Sequence, residues 1–261
     1  MRSGHLLLGA YVWGLLCCLV APILVVVGIA FNPTPRFLLP LHGLSLRWFR
    51  DFFTSGEYLH ALFAVSLPLA TLVCFVSVVI GTLAAIGLVR FRLRGREALE
   101  AAFLLPILVP SILLGAALYL FFVRIDLAGS FAALAIGHTL IGIPFVIRVV
   151  IAGLSGINPG YEEAAISLGC NRVLAFWKVV MPLVRSSIVS GAAFAFIASF
   201  SDVNVALFLS GPGTNTLPLQ IFSDIQWQGD PSIAAASAIQ VLVVTTLVLA
   251  AQFLSRARAV G

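Results

Sequence analysis

Residues 157–182 read INPGYEEAAISLGCNRVLAFWKVVMP and hold two adjacent glutamates, Glu162 and Glu163, together with Arg172 and the chain's single lysine, Lys178. Paired carboxylates near the start of a helix favour its positive dipole end and are available to a basic partner. Asn158 is placed to cap that helix, with Pro159 at the first helical position, where a missing N–H costs nothing. Ala164, Ala165, Ile166 and Leu168 then give a compact, apolar surface, and Gly169 suits a left-handed residue just past the helix end. A second helix is expected from about Asn171 to Val180, presenting Val173, Phe176 and Trp177, before Pro182 opens the next apolar stretch. A short helix with small side chains can enter the groove of another protein. The competing reading is an amphipathic helix resting on a membrane surface, where paired glutamates would meet anionic lipid.

Asp202 is the second candidate. It lies about 16 residues beyond Ser186, roughly 24 Å along a helix of ~1.5 Å rise. An ionisable residue within an apolar stretch is costly and marks a functional site by default. A carboxylate there would attract a passing ammonium group, with Asn204 beside it; equally, it would cap a helix or pair with a neighbouring subunit. Asp224, Trp227 and Asp230 follow in a more polar segment, where they fit contacts to a partner or an outer mouth, or ordinary loop structure.

The elements that must hold these residues follow from composition. The chain has 261 residues, 61% of them hydrophobic and only 10% charged. Soluble domains carry about 25% charge, so lipid is the expected solvent. Six apolar stretches are long enough to cross, approximately 6–30, 61–89, 98–122, 130–153, 186–208 and 233–254. None alternates as a barrel strand would, and an all-α membrane fold of one domain over residues 1–261 is expected. The first stretch is read as a retained anchor, its apolar run being longer than that of a signal peptide. Residues 154–185 then form a loop far longer than a helical hairpin needs.

Orientation follows from the basic residues. With the amino terminus in the cytoplasm, Arg36, Arg47, Arg50 and Arg124 lie outside, and the other eleven of the 15 Lys and Arg residues lie inside or at the inner ends of spans. Both termini are then cytoplasmic, and the net charge of +5 is a topology signal rather than a nucleic-acid footprint.

Several chemistries lack their residues. A P-loop needs Gly-Lys before Ser or Thr, whereas Lys178 stands between Trp177 and Val179. Cys17, Cys18, Cys74 and Cys170 show no metal spacing, and His5, His42, His60 and His138 form no H-E-x-x-H. No cofactor, metal site or enzyme active site is expected. His138, inside the fourth span, is either a proton relay or a histidine of helix packing.

Glu163-Ala164-Ala165, then Gly169 and Met181-Pro182, resemble the EAA loop of binding-protein-dependent ABC transporter permeases. The likeness extends to FNPTPRFLLPLHGLSLRWFRDFF and SFSDVNVALFLSGPGTNTLPLQIFSDIQWQGDPSIAA, which resemble the spermidine/putrescine branch. The resemblance implies a bacterial inner-membrane subunit, itself non-catalytic, paired with a second permease, two ATPase subunits and an extracytoplasmic solute-binding protein. It makes Glu162, Glu163, Ala164, Ala165, Gly169 and Pro182 a coupling loop seated in an ATPase cleft. The loaded binding protein is then expected to dock on an outer face formed partly by residues 31–58 and 209–232. The branch often carries two successive acids where this chain has Ser201 and Asp202. The same architecture serves ferric ion, aminoethylphosphonate and other small solutes. An ion-coupled secondary transporter would instead call for inverted repeats, broken helices and further buried charges.

Overall fold

The computed structural model describes residues 2–34, 43–91, 93–227 and 231–256, and every regular element among them is helical. In chain order these are α1 (Arg2–Ile29), α2 (Arg47–Thr54), α3 (Gly56–Leu59), α4 (Leu67–Arg90), α5 (Arg96–Leu108), α6 (Ser111–Arg124) and α7 (Phe131–Ser155). There follow α8 (Gly160–Ser167), α9 (Arg172–Ala175), α10 (Met181–Phe200), α11 (Asn204–Leu209), α12 (Leu217–Trp227) and α13 (Ser232–Arg256). Two wider π turns, His60–Ser66 and Phe176–Val180, lead directly into α4 and α10. Each of those helices carries a proline at its second position, Pro68 or Pro182. A proline ring clashes with the carbonyl four residues back and offers no N–H to it, and a widened turn relieves both faults.

Five helices are long and apolar enough to span: Leu8–Ile29, Gly56–Arg90, Phe131–Ser155, Arg172–Phe200 and Ser232–Phe253. A sixth crossing exists if α5 and α6 count together, for they bend by 98° at their junction. The expectation of one straight span over 98–122 is therefore corrected. Pro110 is the cause: it has no N–H to continue the ladder, and Val109 before it is extended, with φ −78° and ψ 132°. The fifth span is also displaced from its expected 186–208. It begins at Arg172, absorbing the second helix expected of the loop, and stops at Phe200.

The chain divides into two compact units. One comprises Met1–His60 with Gln220–Val243. Its core gathers Ala30, Trp48, Ala234, Ala235 and Ala238, and the Trp48 indole N–H donates to the Asn32 carbonyl at 2.7 Å. Phe52 stacks on Tyr58, with ring centroids 5.2 Å apart.

The other unit comprises Ala61–Leu219 with Val244–Gly261, and its frame is α4, α7 and α10, packed on one another. Small residues set the approach. A Cβ added at Gly81 would stand 2.8 Å from the Val146 Cβ, and one at Gly191 would stand 3.2 Å from the Val146 Cα. Val146 thus lies between two helices that come close because neither has a side chain there, the usual way helices associate without a hydrophobic drive. Two apolar clusters flank this frame. Leu69, Val73, Ala133 and Leu134 join Val205, Ala206 and Leu209 near the start of α7. Ala85, Val150, Leu154, Val180 and Val184 gather near its end.

Candidate functional site

The loop between α7 and α10 is built by local hydrogen bonds. Asn158 Oδ1 accepts from the Gly160 N–H at 2.9 Å, and Pro159 already has helical φ and ψ. Glu162 and Glu163 occupy the first turn of α8, as their charge favours. At the far end Gly169 takes φ +96°, its N–H bonds to the Ile166 carbonyl at 2.9 Å, and the Cys170 N–H reaches back to Ala165 at 3.1 Å. That pair of bonds is the Schellman closure, in which a left-handed residue satisfies the last carbonyls. Asn171 Oδ1 then caps the next helix, accepting from Leu174 N–H at 2.8 Å. Ala164, Leu168 and Trp177 are exposed, with Leu168 88% accessible, while Ala165 is half-buried. Pro182 is exposed at the head of α10.

One residue outside the loop joins it. Arg90, the last residue of α4, donates from Nη1 to Glu162 Oε1 at 2.8 Å, and its Nη2 lies 2.7 Å from Oε2. Its guanidinium also sits 4.9 Å over the Phe176 ring. The hydrogen bond from Arg90 holds the Glu162 carboxyl below its ordinary range; partial burial opposes this, and the charges of Arg90 and Arg172 reinforce it. Arg90, Phe91, Glu162, Glu163, Arg172 and Phe176 line an open groove of about 500 Å³. The sequence reading counted Arg90 only as a topology charge. The available signal was its position, an arginine at the end of an apolar stretch.

Past the other end of α10 the chain breaks at Ser201–Val203. Asp202 is therefore not on a continuous helix, as its expected 24 Å offset assumed. Its Oδ1 accepts from the N–H groups of Val205 at 2.8 Å and Ala206 at 3.2 Å, which starts α11. Of the roles considered for it, capping is present in the geometry. The side chain is 11% exposed, and Oδ1 lies 3.9 Å from His138 Nε2. His138 is wholly buried, with Nδ1 3.0 Å from Ser199 Oγ. Asn204 is exposed, and its Nδ2 donates to Ser111 Oγ at 2.7 Å, bridging α11 to the start of α6 just past the bend. The contact is close because a Cβ at Gly115 would stand 3.2 Å from the Asn204 carbonyl oxygen.

Asp224, Trp227 and Asp230 separate. Asp224 is only 5% exposed; its Oδ2 accepts from the Tyr58 hydroxyl at 2.6 Å and its Oδ1 from Gln220 Nε2 at 3.1 Å. Both oxygens are thus engaged within the chain. Trp227 is 87% exposed, and Asp230 lies outside the described residues.

Residues 77–259 match the model of a family described as binding-protein-dependent transport system inner membrane component. The chain belongs to that family. It is accordingly a multi-pass membrane protein of a transport system. The spermidine/putrescine transport system permease protein PotC of Haemophilus influenzae is 28% identical to it over 254 residues, covering 97% of this chain and 98% of that one. The putrescine transport system permease protein PotI of Escherichia coli is 30% identical over 228 residues, covering 85% of this chain and 80% of the relative. Among solved structures, a bacterial alginate ABC transporter in complex with its alginate pentasaccharide-bound periplasmic protein matches with a TM-score of 0.69. That match covers 98% of this chain and 94% of the other at 16% identity, and so speaks for the fold alone.

Proposed function

We propose that the chain is one membrane subunit of an ATP-driven importer of polyamines, forming half of the translocation path. The observation that carries the substrate class is the likeness over nearly full length to a permease named for spermidine and putrescine, 97% of this chain against 98% of that one. On this reading a second permease supplies the other half, two ATPase subunits provide hydrolysis, and an extracytoplasmic binding protein delivers the solute. Both termini face the cytoplasm.

The loop of α8 and α9 is the coupling element. Its exposed Ala164 and Leu168 and its tight Gly169 turn suit entry into an ATPase cleft. ATP binding closes the ATPase pair and moves the loop; the outer side opens, solute is released, and hydrolysis resets the path. The solute passes the break after Phe200, where Asn204 is exposed and the Asp202 carboxylate adds negative charge. Trp227 and Asp230 meet the binding protein, whereas the engagement of Asp224 with Tyr58 suits a role in holding that outer segment.

The test is uptake of labelled putrescine and spermidine by cells lacking this chain, then restored with wild type or Asp202→Asn. Uptake lost on deletion, rescued by wild type and lowered with Asp202→Asn, supports a polyamine path past this carboxylate. Unchanged uptake on deletion, in a strain without a redundant carrier, moves the substrate to ferric ion, aminoethylphosphonate or another small solute.

A further inference from the structure

The two neighbouring glutamates of α8 both line the groove, but they differ in exposure and in what holds them. Glu163 is exposed, and among the described residues no ion pair reaches it. Glu162, one position earlier and so about 100° around the helix, turns inward. Both its oxygens are taken by Arg90, at 2.8 and 2.7 Å, with the two side chains only 21% and 28% exposed. Such a forked pair fixes orientation as well as distance, because the planar guanidinium matches the carboxylate edge to edge.

Arg90 holds the loop at two places, for its guanidinium also lies over Phe176 in the π turn that leads into α10. Arg90 is in turn the last residue of α4, which packs along α7 and α10. The helix it grips is short and closed at both ends, by Asn158 and by the Gly169 turn. A push on α8 therefore has a stiff path to the end of α4 that does not run through the backbone: the residues it joins are 72 apart in sequence. Many surface ion pairs contribute little to stability. This one joins two elements that must move together, so its removal shows in coupling before it shows in folding.

We propose that Glu162 is a transmission residue, passing the motion of the loop through Arg90 to the second span, and that Glu163 alone is the loop's outward carboxylate toward the ATPase. The proposal rests on the importer reading above. It divides between two residues a role that the adjacent pair would otherwise share.

The experiment uses the assembled complex, with partner permease, ATPase subunits and binding protein, in proteoliposomes with labelled putrescine. ATP hydrolysis and uptake are measured in the same vesicles, alongside the amount of ATPase that co-purifies. Arg90→Ala and Glu162→Gln should keep the ATPase bound and hydrolysing, yet lower putrescine moved per ATP by about fivefold or more, the lower range of measured couplings between sites. The exchanged pair Arg90→Glu with Glu162→Arg should recover much of that ratio, while Arg90→Lys, which lacks the fork, should not. Glu163→Gln should instead reduce the bound ATPase. Loss of the ATPase with Glu162→Gln but not with Arg90→Ala would overturn the proposal, as would a wild-type ratio in both single variants.

A second readout does not depend on the solute. Spin labels at Phe91 and Leu168, both exposed, in a cysteine-free background report the distance from the end of α4 to the loop. Vanadate trapping should change it by no more than about 1–2 Å in wild type and by up to about 5 Å in Arg90→Ala, the range of helix shifts and one-turn slips. Equal changes in both would sink the transmission role. If trapping works but putrescine does not move in wild type, the polyamine reading fails and this distance alone decides the role of Arg90.

Discussion

Both ends of α10 adjoin a helix start capped by a side chain, but the two starts are secured differently. In the loop between α7 and α10, Asn158 serves Gly160, Asn171 serves Leu174, and Gly169 closes on Ile166, so each of these bonds spans only a few residues. The long-range pair of Glu162 with Arg90 is added to a turn already closed locally. At the break after Phe200, Asp202 also serves nearby N–H groups, but its surroundings come from far away. His138 meets Ser199 across 61 positions, and Asn204 meets Ser111 across 93. The loop is a locally closed unit, tied to α4 through Arg90. The break is a junction of α6, α7, α10 and α11, and a change in any of them is felt at Asp202.

That contrast sets what substitutions should do. Gly169→Glu has the largest expected effect. There is open space around the glycine, but a side chain at φ +96° costs about 1–2 kcal/mol of backbone strain and puts a charge beside the proposed docking surface. Transport should be abolished while membrane insertion, followed by fractionation, is unchanged. Gly169→Asn, which tolerates this backbone better, should retain part of the activity; normal transport by Gly169→Glu would sink the coupling assignment.

His138→Ala comes next, and it should lower global stability rather than disturb one turn. Removing a wholly buried ring leaves a cavity and an unpaired Ser199 hydroxyl, for about 3 kcal/mol. Thermal unfolding of the purified protein should show it, while Asn158→Ala should leave the midpoint nearly unmoved despite losing a cap. Equal shifts from the two would erase the distinction between a local and a distributed site.

Asp202→Ala should cost about 1 kcal/mol as a lost cap, and Asp202→Asn only a few tenths, since an amide oxygen can still accept from Val205 and Ala206. The amide should nevertheless lower putrescine uptake. If instead Asp202→Asn keeps wild-type uptake and only Asp202→Ala lowers it, the carboxylate acts only by capping.

The smallest effect is expected of pH on the loop. Because Arg90 holds the Glu162 carboxyl below its ordinary 4.5, the stabilisation is complete above that value and is lost only as pH falls through the lowered one. Infrared difference spectra of wild type against Glu162→Gln should place the midpoint of the loss of the ionised carboxylate band below that ordinary value. A midpoint at or above it would mean that the pair with Arg90 is not maintained.

Much of the loop was legible because its determinants are neighbours in sequence. Asn, Pro, two acids and Gly at those spacings prescribe a capped helix followed by a left-handed turn. The extent of α9 was misjudged for a comparable local reason. Pro182 looked like a helix start, but the π turn at Phe176–Val180 absorbs the proline and lets one helix run from Arg172 to Phe200. Pro110 carried the opposite lesson: apolar character across 98–122 masked a 98° bend, because hydropathy records solvent preference and not hydrogen-bond continuity.

By itself, then, the sequence determined the membrane solvent, the number of apolar segments and the closed turn at Gly169, since each depends on composition or on residues within a helical turn of one another. Only the tertiary structure decided that Glu162 faces Arg90 while Glu163 faces outward, that Asp224 is engaged by Tyr58, and that Asp202 starts a helix beside buried His138. Those outcomes turn on which side chains meet across distant helices, and close helix packing fixes that through glycines and valines whose partners no local pattern names.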